Sequence, residues 1–168
     1  MRPVYPNVLA AVRAAWSIPR VSGRSPLAVV SGRDYDAMTA DERILQDGMV
    51  QQIVRVRFER QPGVIMTLRA MYQEEDAQRK EAREWLAREF QRPGRAPPVS
   101  WGEPIVDRWA GWRVTLRSDT DWAKALGVDR RTVSAWRREL RDRLAARLRE
   151  GLMAMESELQ NRGLIPRQ

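Results

Sequence analysis

The stretch Asp119–Arg138, DTDWAKALGVDRRTVSAWRR, leaves the backbone few choices. Trp122, Ala123 and Leu126 recur at helical spacing, which gives a short helix one apolar face. Gly127 follows where that helix must end in a left-handed residue, a conformation glycine adopts without steric cost. Val128 fills the bend. Asp129 has the side chain of an N-cap, able to accept from a free backbone N–H of a second helix. Val133 and Trp136 let that second helix pack back on the first. Arg130, Arg131, Thr132, Ser134, Ala135, Arg137 and Arg138 are left facing outward, with Arg141 a turn further on. Short side chains at the middle of such a face allow close approach to base edges, and surrounding arginines reach phosphate or guanine.

This pattern resembles the helix-turn-helix DNA-binding superfamily over these 20 residues. The resemblance implies that the second helix is a recognition helix for double-stranded DNA. The same spacing also suits a hairpin that contacts protein, or one whose arginines are merely solvated.

The rest of the chain reads as all-α: a helical N-terminal region joined to a C-terminal helix-turn-helix with a long terminal helix. Asn7 caps a helix over Val8–Trp16, and Pro19 stops it. Residues 17–36, rich in Ser, Gly, Pro and Arg, read as a mobile loop, so 1–36 forms a basic arm. Leu27–Ser31 is the longest candidate strand. Thr39 and Glu42 form a capping box, opening a helix to about Phe58 with Ile44, Leu45, Met49, Ile53 and Val56 apolar. Pro62 suits the first position of the next helix, and Glu74–Phe90 is a charged helix with Ala82, Trp85, Leu86 and Phe90 on one side. These make 37–90 an acidic helical middle. Residues 91–100, QRPGRAPPVS, cannot continue a helix and read as a linker to a domain over 101–168.

Within that domain Trp101, Ile105, Trp109, Trp112 and Leu116 step along one helical face, a third surface for the two crossed helices. This tryptophan stripe reads as core rather than a base-stacking platform. After Trp136 the apolar pattern continues through Leu140, Leu144, Leu148, Leu152, Met155 and Leu159. An unbroken helix from Arg130 to near Asn161 would run about 45–50 Å, with Gly151 its weak point. Its stripe suits either a homodimer through the C-terminal helix or packing against the acidic middle.

Composition narrows the chemistry. The chain has neither cysteine nor histidine, which removes thiolate and imidazole metal ligands and the commonest general base. Asp34 and Asp36, near Asp41 and Glu42, are the one carboxylate cluster suited to Mg²⁺, and they read as loop and helix-cap residues. The expectation is no enzyme, no metal and no cofactor. With no membrane-length apolar run and no signal-peptide core, a cytoplasmic protein without membrane contact is expected. Of 30 basic residues 28 are arginine, an excess that GC-rich codon usage alone would also produce, and arginine is the better bidentate donor to phosphate and guanine. The net +8 is uneven: +5 over 1–33, −3 over 34–90, and +3 over each of 91–118 and 119–168. The basic ends favour a polyanion and leave the middle for another use.

The wider layout is similar to phage late-gene antiterminators of the lambdoid Q type. The similarity rests on an all-helical chain of this length, a tryptophan-bearing helix entering the helix-turn-helix, and the ending Leu159–Ile165, LQNRGLI. It implies binding a DNA element at a late promoter, then loading onto RNA polymerase so that it ignores terminators. Some such proteins carry a cysteine zinc site; without cysteine this chain resembles the metal-free ones. Two other functions fit the residues: a simple dimeric helix-turn-helix repressor or activator, and a phage packaging protein resembling a small terminase subunit.

Overall fold

The computed structural model describes residues 4–16, 38–91 and 97–167. The 17–36 loop with Asp34, Asp36 and Leu27–Ser31, and residues 92–96 of the 91–100 linker, lie outside them. The described residues form seven helices and no strand: α1 Val8–Trp16, α2 Ala40–Arg57, α3 Pro62–Tyr72, α4 Asp76–Glu89, α5 Val99–Trp109, α6 Asp119–Leu126 and α7 Arg130–Asn161. None is long and apolar enough to cross a membrane.

Local chemistry sets the helix ends. Asn7 Oδ1 accepts from Ala10 N–H at 2.9 Å at the start of α1. The capping box of α2 is complete: Thr39 Oγ1 accepts from Glu42 N–H, and Glu42 accepts from Thr39 N–H at 2.7 Å. Pro62 occupies the first turn of α3, where a missing N–H costs nothing. Helix α7 ends in a Schellman turn: Gly163 has φ +70°, Leu164 N–H donates to Leu159 O at 2.9 Å, and Leu164 and Ile165 fold back into the core. The LQNRGLI stretch thus ends α7 and returns the chain to the core through Leu164 and Ile165.

The helices enclose two cores. Helix α1, the buried face of α2 (Val50, Ile53, Val54) with its C-cap Phe58, Val64 and Leu68 of α3, and Met155 and Leu159 of α7 form the first. Tyr5 closes it, donating its backbone N–H to Leu164 O and its hydroxyl to Asp47 Oδ1 at 2.8 Å. The second gathers Ala82 and Leu86 of α4 with its C-cap Phe90, Trp101, Ile105 and Val106 of α5, Ala123 of α6, and Val133, Leu140 and Leu144 of α7. Each buried Leu or Val contributes about 1.5–3 kcal/mol over leaving it exposed.

Helix α7 runs through both cores, so its apolar stripe is filled from within the chain. Its 32 residues span about 48 Å, and it passes Gly151 unbroken. Gly151 is buried because α3 crosses there: a Cβ would lie 2.8 Å from Val64 Cγ1. Gly102 plays the same part between α5 and α4, where a Cβ would meet Ala87 Cβ at 2.9 Å. Polar ties join the helices at their edges. Asp107, 7% exposed, is held by Arg83 at 2.7 Å, since a buried carboxylate needs a cation. Arg147 of α7 makes a bidentate pair with Glu89 of α4.

One expectation is corrected. The helix carrying the tryptophan stripe stops at Trp109, and Gly111 takes φ +88°. Residues 112–118 then have no regular secondary structure, with half-buried Trp112, Val114 and Leu116 alternating with exposed Arg113, Thr115 and Arg117. Trp112 is anchored by donating Nε1–H to Ala70 O at 3.0 Å, with the Arg79 guanidinium 3.9 Å over its ring. It belongs to the packing, as does the fully buried Trp101.

Candidate nucleic-acid interface

Ser118 and Asp129 position the α6–α7 unit by capping its two helices. Ser118 Oγ accepts from Asp121 N–H at 3.1 Å, and Asp129 Oδ1 accepts from Arg131 N–H at 2.6 Å. Between them Gly127 takes φ +63°, ψ +33°, and Val128 N–H closes the turn onto Ala123 O at 3.1 Å. Val133 is fully buried on the inner side of α7, and Trp136 packs edge-on against Trp101 with ring centroids 6.2 Å apart. Trp122, Val128 and Trp109 line the same core. The Asp129 cap, the Gly127 turn and the apolar contacts follow the pattern expected of the sequence, and the Ser118 cap is an addition to it.

At about 100° per residue, Arg130, Arg131, Ser134, Ala135, Arg138 and Arg141 share one face of α7 about 140° wide. All six are exposed. They border two shallow depressions. The first is lined by Asp129, Arg130, Arg131, Ser134, Ala135 and Arg138. The second lies further along and adds Trp109, Arg137, Arg141, Asp142 and Ala145. Ser134 and Ala135 make the middle of the face low, and four arginines stand around it. That shape and charge suit a polyanion approached closely by backbone.

Two of the expected residues lie off this face. Thr132 is half-buried on its flank. Arg137 is turned toward α6, where it pairs with Asp119 and donates to Arg117 O at 3.3 Å. Asp119 also accepts from Ser134 Oγ at 2.7 Å, so one carboxylate orients both a face residue and its neighbour. Arg143, on the next turn, is drawn to Glu139 at 3.0 Å and lies 5.1 Å over the Phe90 ring. Asp119 went unread as an orienting group because it meets Ser134 and Arg137 only once α6 folds against α7. The exposed Arg113, Thr115 and Arg117, at every second position, are the sequence signal that 112–118 is extended rather than helical.

Comparison with known protein families and with curated proteins finds no match to this chain.

Proposed function

We propose that the chain is a DNA-binding transcription regulator that reads duplex DNA with the first three turns of α7. The observation carrying this reading is the exposed arginine-rimmed face of Arg130, Arg131, Ser134, Ala135, Arg138 and Arg141, presented beyond a tight αL turn. Base readout falls to Arg131 and Ser134, phosphate contact to Arg130, Arg138 and Arg141. In its specific form the regulator is a late-gene antiterminator acting on RNA polymerase, a reading that rests on the resemblance of the sequence layout to the lambdoid Q type. A simple dimeric repressor or activator is the second reading, favoured by an apolar face on α2 described below.

Selection of duplexes from a random pool tests the DNA reading. Full-length protein should enrich a defined site, and Arg131→Ala with Ser134→Ala should lower discrimination against random duplex by about 1–3 kcal/mol. Failure to enrich any site would remove the proposal. Transcription through a terminator downstream of the selected site separates the two forms: read-through with full-length protein supports antitermination, and repression or activation without read-through supports the simple regulator.

A further inference from the structure

Four large apolar side chains stand exposed on one helix, α2: Ile44 (50% exposed), Leu45 (73%), Met49 (36%) and Val56 (65%). The opposite face of α2 already fills the first core, so this helix is apolar on both sides. The four residues share their face with Asp41, Gly48, Gln52 and Arg55, an arc of about 140° at 100° per residue. Exposed apolar residues scattered singly need no explanation, whereas a contiguous set marks a contact surface.

Charge and shape on that face are self-complementary. Asp41 stands at the acidic start of α2 and Arg55 at its basic end, and both are exposed. Neither is ion-paired among the described residues. Their midpoint is Gly48. A Cβ at Gly48 would meet nothing within 4 Å, so packing inside the chain does not require glycine there. An interior helical glycine costs about 1 kcal/mol relative to alanine, and close approach of a second backbone is one use that offsets it.

We infer that the occupant of this face is a second copy of the same chain, its α2 antiparallel to the first across a twofold axis at Gly48. That arrangement sets Asp41 of each copy against Arg55 of the other, about 21 Å apart along α2. It brings the two glycines together at the crossing and covers Leu45, Met49 and Val56 on both sides. A twofold contact of this kind uses the same patch twice, which is why one helix must carry both charges. The inference does not depend on what α7 binds. It moves self-association from the C-terminal helix, whose stripe is filled from within, to α2.

Sedimentation equilibrium of full-length protein from about 1 to 100 µM tests it, a range in which contacts of modest area dissociate. The wild type should show a monomer–dimer equilibrium, and Leu45→Glu should be monomeric throughout, with the melting temperature of the wild type at concentrations where that is itself monomeric. Asp41→Arg alone and Arg55→Asp alone should each weaken the dimer about tenfold, since two exposed pairs turn from attraction to repulsion. An equimolar mixture of Asp41→Arg and Arg55→Asp should dimerise again, because each copy then meets its opposite charge, and the double variant should do so alone. A wild type that stays monomeric, or a dimer indifferent to Leu45→Glu, would overturn the inference. So would a monomer destabilised by Leu45→Glu, which would mean that the face is covered from within the chain.

Discussion

Replacing Gly151 by alanine sets two terms against each other. Helix propensity favours alanine by about 1 kcal/mol at an interior position. Against it, the new Cβ would sit 2.8 Å from Val64 Cγ1, closer than carbon atoms pack, with Leu68 Cδ1 behind at 3.9 Å. Valine cannot swing away cheaply, because its χ1 is stiff in a helix and α3 is held by the first core. Overpacking of this kind costs about 1–3 kcal/mol. The net expectation is a loss of about 0–2 kcal/mol. Val64→Ala removes the obstructing atom, so in that background Gly151→Ala retains only the propensity term and should stabilise by about 1 kcal/mol. Urea unfolding of the four proteins measures the cycle, with a coupling of about 1–3 kcal/mol and little change in m. If Gly151→Ala stabilises both backgrounds equally, α7 does not cross α3 at this contact, and the reasoning that makes it the shared spine of two cores fails.

Three further outcomes are expected. Gly127→Ala should cost about 1–2 kcal/mol although its Cβ has open space, because the strain lies in a φ of +63°; thermal unfolding reads it, and no loss would mean the turn is not held left-handed. Asp119→Asn should destabilise by about 1–3 kcal/mol by leaving the half-buried Arg137 without its counter-charge; an unchanged denaturation midpoint would deny the pairing. The Thr39 N–H and hydroxyl hold the Glu42 carboxyl below its ordinary range, so the capping box is intact above that range and is lost as pH falls through the lowered value. The Thr39 amide signal should follow that titration by NMR, and should lose it in Glu42→Gln.

The elements legible in the sequence are those written in local chemistry. Asn7, the Thr39/Glu42 box, Pro62, Gly127 and Asp129 each act on backbone within a few residues of themselves, so their spacing suffices to place them. The segment after Trp109 departs from the helical expectation for a physical reason. Trp112 and Leu116 are four apart, a spacing that satisfies both a helical turn and a period of two. Glycine at 111 with a positive φ settles it, and Arg113, Thr115 and Arg117 show the alternation. The apolar residues of α2 gave no indication of which faced the chain's own core, because Ile44, Leu45, Met49 and Val56 are as hydrophobic as Val50, Ile53 and Val54. The α7 face was legible as a helical arc. Its internal ties from Asp119 to Ser134 and Arg137 were not, because they cross 15 and 18 residues of sequence and exist only in the fold.

The claim that α7 meets DNA is tested most directly by the salt dependence of binding to a random-sequence duplex, followed by fluorescence anisotropy. Binding to phosphates releases counterions, so log K falls with log salt concentration at a slope of about −0.9 per phosphate contact. Arg138→Ala and Arg141→Ala should each flatten that slope by about one and weaken binding to all sequences alike. Arg162→Ala, at the far end of the same helix and paired to Glu158 at 2.7 Å, should leave it unchanged. A wild type whose slope matches that of the Arg138→Ala/Arg141→Ala double variant would contradict the claim. So would a protein that fails to bind duplex even at low salt.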